Sequence, residues 1–296
     1  MGQTLVDAAI LGSIYVLFCL GMSLVWGTVG ILNFAHGAIF MFSGFVGYLV
    51  VDGRQLPMIG VIAVSVLVGA LLSTAIEVLA FQPILKRAKT HRIAELQILI
   101  GGIGVAAIPL AVAQYVTKSE PFGFSNSSYA VEVFSFLGLR ISNTGLVIVL
   151  SAVVLTVGMA VWLRKSMAGL ALRAIGVDSE TAALMGVDRR KLSLATMAFA
   201  GGLAGLAGAL LTFNLGAITP ESGETLLIKA FAVIILGGVG STAGVAAGAY
   251  ILALSETLVL RFTGGGWVDA VCFGMIFLVL LLRPQGLFGR KEVRRV

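Results

Sequence analysis

Charge is what this sequence has least of. Only 11% of its 296 residues are Asp, Glu, Lys or Arg, whereas a soluble domain carries about 25%. That scarcity excludes an ordinary water-facing globule, and a mean hydropathy of +1.05 points the same way. Histidine is rarer still: His36 and His91 are the whole supply, too few for a cluster of imidazole metal ligands. The two cysteines, Cys19 and Cys272, lie far apart inside apolar runs, which excludes a disulfide framework or a thiolate metal site. A phosphate-loop lysine motif and paired acids within apolar segments are also missing. No hydrolytic chemistry, metal or cofactor is therefore expected of this chain.

What is abundant is apolar surface, at 58% of residues, together with 38 glycines. Helices in lipid pack through small residues, so the glycines fit a membrane bundle. About 20 apolar residues cross a bilayer as a helix. Spans are read near Leu5 to Trp26, Ile31 to Val51, Met58 to Ala80, Ala94 to Val116, Gly145 to Leu163, Leu192 to Phe213, Leu226 to Leu236, Ala243 to Leu260 and Trp267 to Leu282. The expected fold is an all-α, polytopic transmembrane helix bundle of 8 to 9 spans, one domain over residues 1–296, with a broken or re-entrant helix near 226–244. The N-terminus lacks a basic n-region and runs straight into a full-length span, so it is not expected to be a cleaved signal peptide.

The net charge of +6 would suggest nucleic acid in a soluble protein. Here it reads as orientation instead, and no nucleic-acid partner is expected. Loops 83–93 and 164–191 and the tail from Arg283 hold 15 of the 20 Lys and Arg residues, which makes that side, and the C-terminus, cytoplasmic. Arg54, Lys118, Arg140, Lys229 and Arg261 are assigned to the opposite loops.

One loop is organised as a local structure. In Arg173 to Lys191, Asp178 and Ser179 are helix-start residues, Glu180 suits the positive end of the helix dipole, and Gly186 suits a left-handed stop. Thr181, Ala182, Ala183, Leu184 and Met185 supply about two turns, too few to be stable alone. The segment needs a partner surface, to which Leu184 and Met185 would be presented as an apolar knob between basic flanks.

Inside the second apolar run lie Asn33 and His36. Two readings stand: hydrogen bonds between helices that fix packing, or the lining of a translocation path or its gate. Glu77 is expected to pair with Lys86 or Arg87. Gly201 and Gly205 form a small-residue face, and Gly240, Gly244 and Gly248 form a tandem G-x-x-x-G for close helix packing. The run Gly238-V-G-S-T-A also fits a nucleotide-binding G-x-G-x-x-A, but no acidic residue follows at the required distance and the context is an apolar helix. In the loop 118–143, Phe122 to Tyr129 are read as capping the bundle.

Four motifs carry a resemblance. Glu180-Thr181-Ala182-x-x-x-Gly186 matches, with Thr for the usual Ala, the E-A-A-x-x-x-G coupling loop of ABC importer permeases. Ile31-L-N-F-A-H-Gly37 resembles the I-N-F-A-H-G signature of branched-chain amino acid permeases of the LivH and LivM type. Leu236-G-G-V-G-S-T-A-Gly244 and Arg283-Pro284-Gln285-Gly286-Leu287-Phe288-Gly289 match the same family in the expected order. The resemblance implies a non-enzymatic permease subunit of the bacterial inner membrane whose segment Ser179 to Gly186, within loop 164–191, sits as a short cytoplasmic coupling helix in a cleft of an ATPase. It also implies a second permease, either a related LivM-type chain or a second copy, two ATPase subunits that hold ATP and Mg, and a periplasmic solute-binding protein. Branched-chain amino acids are the implied cargo, with urea, short amides or another small organic solute as the alternative. The rivals from other classes are an ATP-independent secondary transporter, for which Glu77, Glu95 and Glu256 are the candidate carboxylates, and an intramembrane enzyme, for which the chain has too few acids and histidines.

Overall fold

Apolar runs free of strong breakers become long helices, because lipid leaves every backbone group to be satisfied within the segment. The computed structural model describes residues 1–30, 32–51, 54–125, 127, 129–136, 138–263, 265–283 and 286–288. Pro284, Gln285 and Gly289 of the C-terminal motif and the side chains of Glu180 and Cys272 lie outside the described residues. The first helix, α1 (Gly2–Val29), has 28 residues, about 42 Å at 1.5 Å each. It stops where Gly30 takes a φ of 74° and its N–H bonds the Trp26 carbonyl. Helix α2 (His36–Val51) follows a non-helical stretch. Helix α3 (Met58–Ile76), a π-helical turn (Glu77–Phe81) and α4 (Gln82–Arg87) form one continuous run. Pro83 explains the wide turn: it has no N–H to donate and its ring crowds the carbonyl four residues back, and a π turn just ahead relieves both.

After α5 (His91–Thr117) comes a short antiparallel hairpin, β1 (Val133–Phe136) with β2 (Leu139–Ser142). Then come α6 (Asn143–Lys165), α7 (Met167–Val177), α8 (Ser179–Leu184), α9 (Arg189–Leu215), α10 (Ser222–Gly237), α11 (Thr242–Thr263) and α12 (Val268–Leu282). Local capping sets several starts: Ser142 accepts from the N–H of Gly145, Ser166 from that of Gly169, and Asp188 from that of Lys191.

The core is built around α1 and α9, whose apolar stretches are 83% and 67% buried, against 17% for α6 at the periphery. Helix α11 runs antiparallel to α1, with Arg261 bonded to Thr4, Tyr250 to Ser13, and Gly240 against Gly27. Helix α9 runs antiparallel to α3, with Ser193 bonded to Glu77, Gly201 against Gly69 and Gly205 against Ser65. The aromatic residues of the loop before the hairpin cap this bundle: Phe122 and Phe124 are buried and stack on Phe45 and Phe213.

Among the described residues, six helices are long and apolar enough to cross a membrane. The remaining expected spans, α2, α10 and α12, are 16, 16 and 15 residues, about 24 Å or less against a hydrocarbon core of about 30 Å. Three expectations are corrected here. The run read from Ile31 is non-helical from Leu32 to Ala35 and helical from His36, because Asn33 turns its side chain onto the backbone ahead of it. Lys229 is in the middle of α10 rather than in a loop. Glu77 does not reach Lys86 or Arg87; its Oε1 accepts instead from Ser193 of α9 at 2.7 Å.

Candidate functional site

Two features carry the chemistry, one at each level of the bundle. The first is the short helix α8 at the end where α6 stops and α9 starts. Asp178 opens it: its carboxylate accepts from the backbone N–H of Thr181 at 3.2 Å and from the Thr181 hydroxyl at 2.7 Å. Gly186 closes it with a φ of 86°, in the left-handed region that favours glycine. Ser179 is half-buried, Ala182 is buried, and Ala183 and Gly186 are exposed. Leu184 and Met185 are 87% and 82% exposed and project together, an apolar pair with no neighbour to cover it. Asp188, the cap of α9, follows directly, and the backbone N–H of Lys191 holds its carboxyl below the usual carboxylate range.

The second feature is the break before α2. Asn33 and His36 are both buried, at 2% and 0% exposure. Asn33 Oδ1 accepts from the N–H of Ala35 at 2.9 Å, within the turn that leads into the helix. His36 Nε2 lies 3.2 Å from the carbonyl oxygen of Phe18, about 24 Å along α1 and hence deep in the bundle. Phe18 packs on the His36 ring at 4.7 Å and on Phe40 at 5.4 Å. Asn33 Nδ2 and His36 Nδ1 have no hydrogen-bond partner among the described residues. A Cβ on Gly37 would strike the carbonyl of Gly223, so the first turns of α2 and α10 touch backbone to backbone. Two short helices thus begin side by side, with Phe34 of the break packed on Phe231 of α10 at 4.9 Å.

The sequence reading missed a third arrangement. Lys229 Nζ of α10 donates to Glu256 Oε2 of α11 at 2.9 Å and to the Tyr15 hydroxyl of α1 at 3.2 Å, and Tyr15 donates to the same Glu256 oxygen at 2.7 Å. Two opposite charges inside neighbouring apolar runs were the available signal, since intramembrane ions are found paired. At the far end of the bundle Gln114 donates to Glu221 and holds that carboxyl below its usual range. The glycines of the tandem motif sit at backbone contacts: Gly240 against Gly27, Gly244 against Gly237, and Gly248 against the Val233 carbonyl.

Residues 4–281 match the family described as branched-chain amino acid transport system / permease component. The chain belongs to this permease family. Among similar proteins, the high-affinity branched-chain amino acid transport system permease protein BraD of Pseudomonas aeruginosa is 30% identical over 99% of this chain and 97% of its own length. The corresponding LivH of Escherichia coli is 29% identical over 99% and 97%. The permease is also 27% identical to LivM of the same organism, over 95% of this chain and 69% of LivM. No solved structure matches. The motif Ile31 to Gly37 of the permease falls on the break before α2, and the coupling-like motif falls on α8.

Proposed function

We propose that this permease is one membrane-spanning subunit of an ABC importer carrying branched-chain amino acids inward across the bacterial inner membrane. Separate ATPase subunits bind Mg and ATP and hydrolyse the ATP. The observation that carries the proposal is the projecting Leu184 and Met185 on a capped, two-turn helix. An apolar pair exposed beside charged loops gains about 1.5–3 kcal/mol per side chain when a cleft covers it. Ser179 to Gly186, Glu180 among them, docks on the ATPase. A related LivM-type chain or a second copy completes the pore, and a periplasmic binding protein delivers the solute. The basic loops and the C-terminus are on the cytoplasmic side.

The coupling segment works by binding open and closed ATPase states unequally, which shifts the permease between outward- and inward-facing populations. Helix α8 is tied through α7 to the end of α6 and through the Asp188 cap to α9. Helix α9 in turn holds α3 through Ser193 and Glu77 and through Gly201, so a push on α8 moves packed helices as a body. Asn33 and His36, at the meeting point of α2 and α10, form the gate of the path.

ATP-dependent uptake of labelled leucine by vesicles holding the assembled transporter tests this reading, with labelled urea alongside. A Glu180→Ala/Leu184→Asp variant is expected to insert normally and to lose leucine uptake. Uptake that needs no ATP and ignores the loop change would overturn the importer assignment, and preference for urea would overturn the cargo.

A further inference from the structure

A cavity of about 450 Å³ lies between α6, α7 and α9, at the end of the bundle that carries the basic loops. Leu155 and Trp162 of α6, Leu172 of α7, and Leu192, Thr196 and Phe199 of α9 line it. The volume is in the range of small-ligand pockets, about 300–1,000 Å³. Its lining is apolar apart from Thr196, whose hydroxyl oxygen is itself buried.

The rim has a sign. Arg164 and Lys165 follow Trp162, and Arg173 follows Leu172. All three are exposed, and Arg173 donates to the Arg164 carbonyl at 3.5 Å, which brings it to the end of α6. The flanks are the hydrocarbon-facing residues Val157, Val161 and Phe199. A zwitterionic solute would strand both charges here, and a peptide would strand its backbone. A phospholipid would not.

We propose that this cavity binds one anionic phospholipid: an acyl chain fills the pocket and the phosphate meets Arg164 and Arg173. The chemistry follows from the pocket and its rim. That the lipid belongs to the cytoplasmic leaflet rests on the orientation proposed above. Because α7 is both the pocket floor and the support of α8, the lipid braces the coupling helix against the membrane.

Photo-crosslinking in nanodiscs of the assembled transporter tests this, using phosphatidylglycerol or phosphatidylcholine with a diazirine on the acyl chain. Labelling is expected on α6 and α9 around Trp162 and Phe199, with phosphatidylglycerol preferred. Arg164→Gln/Arg173→Gln should lower that preference about tenfold or more. Gly158 also lines the pocket, and a Cβ there meets nothing within 4 Å. Gly158→Phe should thus fill the space and abolish labelling by both lipids there, while labelling of α12 reports that the bundle is intact. Equal labelling by the two lipids that both variants leave unchanged would mean ordinary boundary lipid and overturn the proposal. Protection of these segments by the partner permease would overturn it as well. Loss of leucine uptake with lipid labelling intact would count against the function proposed above and leave the lipid site standing.

Discussion

Lys229 of α10 and Glu256 of α11 are 2.9 Å apart inside the bundle, and the Tyr15 hydroxyl of α1 touches both. The Glu256 side chain is 3% exposed and that of Lys229 18%, so the pair joins three helices in surroundings where neither charge is tolerated alone. Removing one partner of a buried pair costs about 3–5 kcal/mol, whereas replacing both with apolar groups is often close to neutral. Lys229→Met and Glu256→Gln are each expected to lower the thermal stability of the assembled transporter by about 3 kcal/mol, toward the low end because Lys229 keeps some exposure. Lys229→Met/Glu256→Met is expected to recover most of that loss. Melting curves of the three variants decide it: additive losses in the double variant would mean that the two side chains act independently.

The pair also bears on an ion-coupled carrier, which would need a carboxylate free to take up a proton or cation. Glu256 is neutralised by Lys229, whereas Glu77 is held by Ser193 through Oε1 alone and its Oε2 has no hydrogen-bond partner among the described residues, so Glu77 is the carboxylate such a carrier would use. An uptake assay across pH gradients without ATP is the direct contrast with the importer reading.

Gly201 of α9 and Gly69 of α3 meet backbone to backbone. A Cβ on Gly201 would strike the Gly69 carbonyl oxygen and the Ser73 side chain, and backbone has nowhere to move. Gly201→Leu is expected to cost at least about 3 kcal/mol, at the top of the usual range for overpacking, and to lower the yield of folded protein. Gly104 is the control, since a Cβ there meets nothing within 4 Å. Gly104→Ala should be neutral or slightly stabilising by its gain in helix propensity. Similar melting temperatures for Gly201→Leu and Gly104→Ala would show that the α3 and α9 backbones are not in contact.

Local chemistry was legible in the sequence and tertiary pairing was not. Asp178 at the start and Gly186 at the stop of α8 follow from residues within one or two turns of each other, so the helix could be read directly. The nine apolar runs were legible for the same reason: composition alone sets them. The late start of α2 was hidden because Leu32 and Phe34 are as apolar in a turn as in a helix, and hydropathy does not distinguish the two. Lys229 and Glu256 were visible as charges, but which faces of α10 and α11 meet depends on Gly237, Gly244 and Gly248 packing those helices together. The cavity beside Thr196 depends on how α7 folds back under α6 through the Ser166 cap, which no periodicity encodes.

The break before α2 distinguishes a packing role from a gating role for Asn33 and His36. Asn33→Ala removes the side-chain acceptor that holds the Ala35 N–H, a cap worth about 1 kcal/mol. His36→Leu removes the contact with the Phe18 carbonyl and leaves that oxygen buried, although the same carbonyl keeps its place in the helix ladder of α1, so the loss is also about 1 kcal/mol. If the two residues only pack helices, stability and leucine uptake fall together and a stabilising change elsewhere restores both. If they form the gate, uptake falls at least about tenfold in variants whose melting temperature moves by only the few degrees that about 1 kcal/mol implies. ATPase activity is the deciding readout, because a gate held wrongly uncouples hydrolysis from uptake while α8 still engages the ATPase. Hydrolysis that falls in step with uptake in both variants would remove Asn33 and His36 from the gate and return them to the packing of α1 on α2.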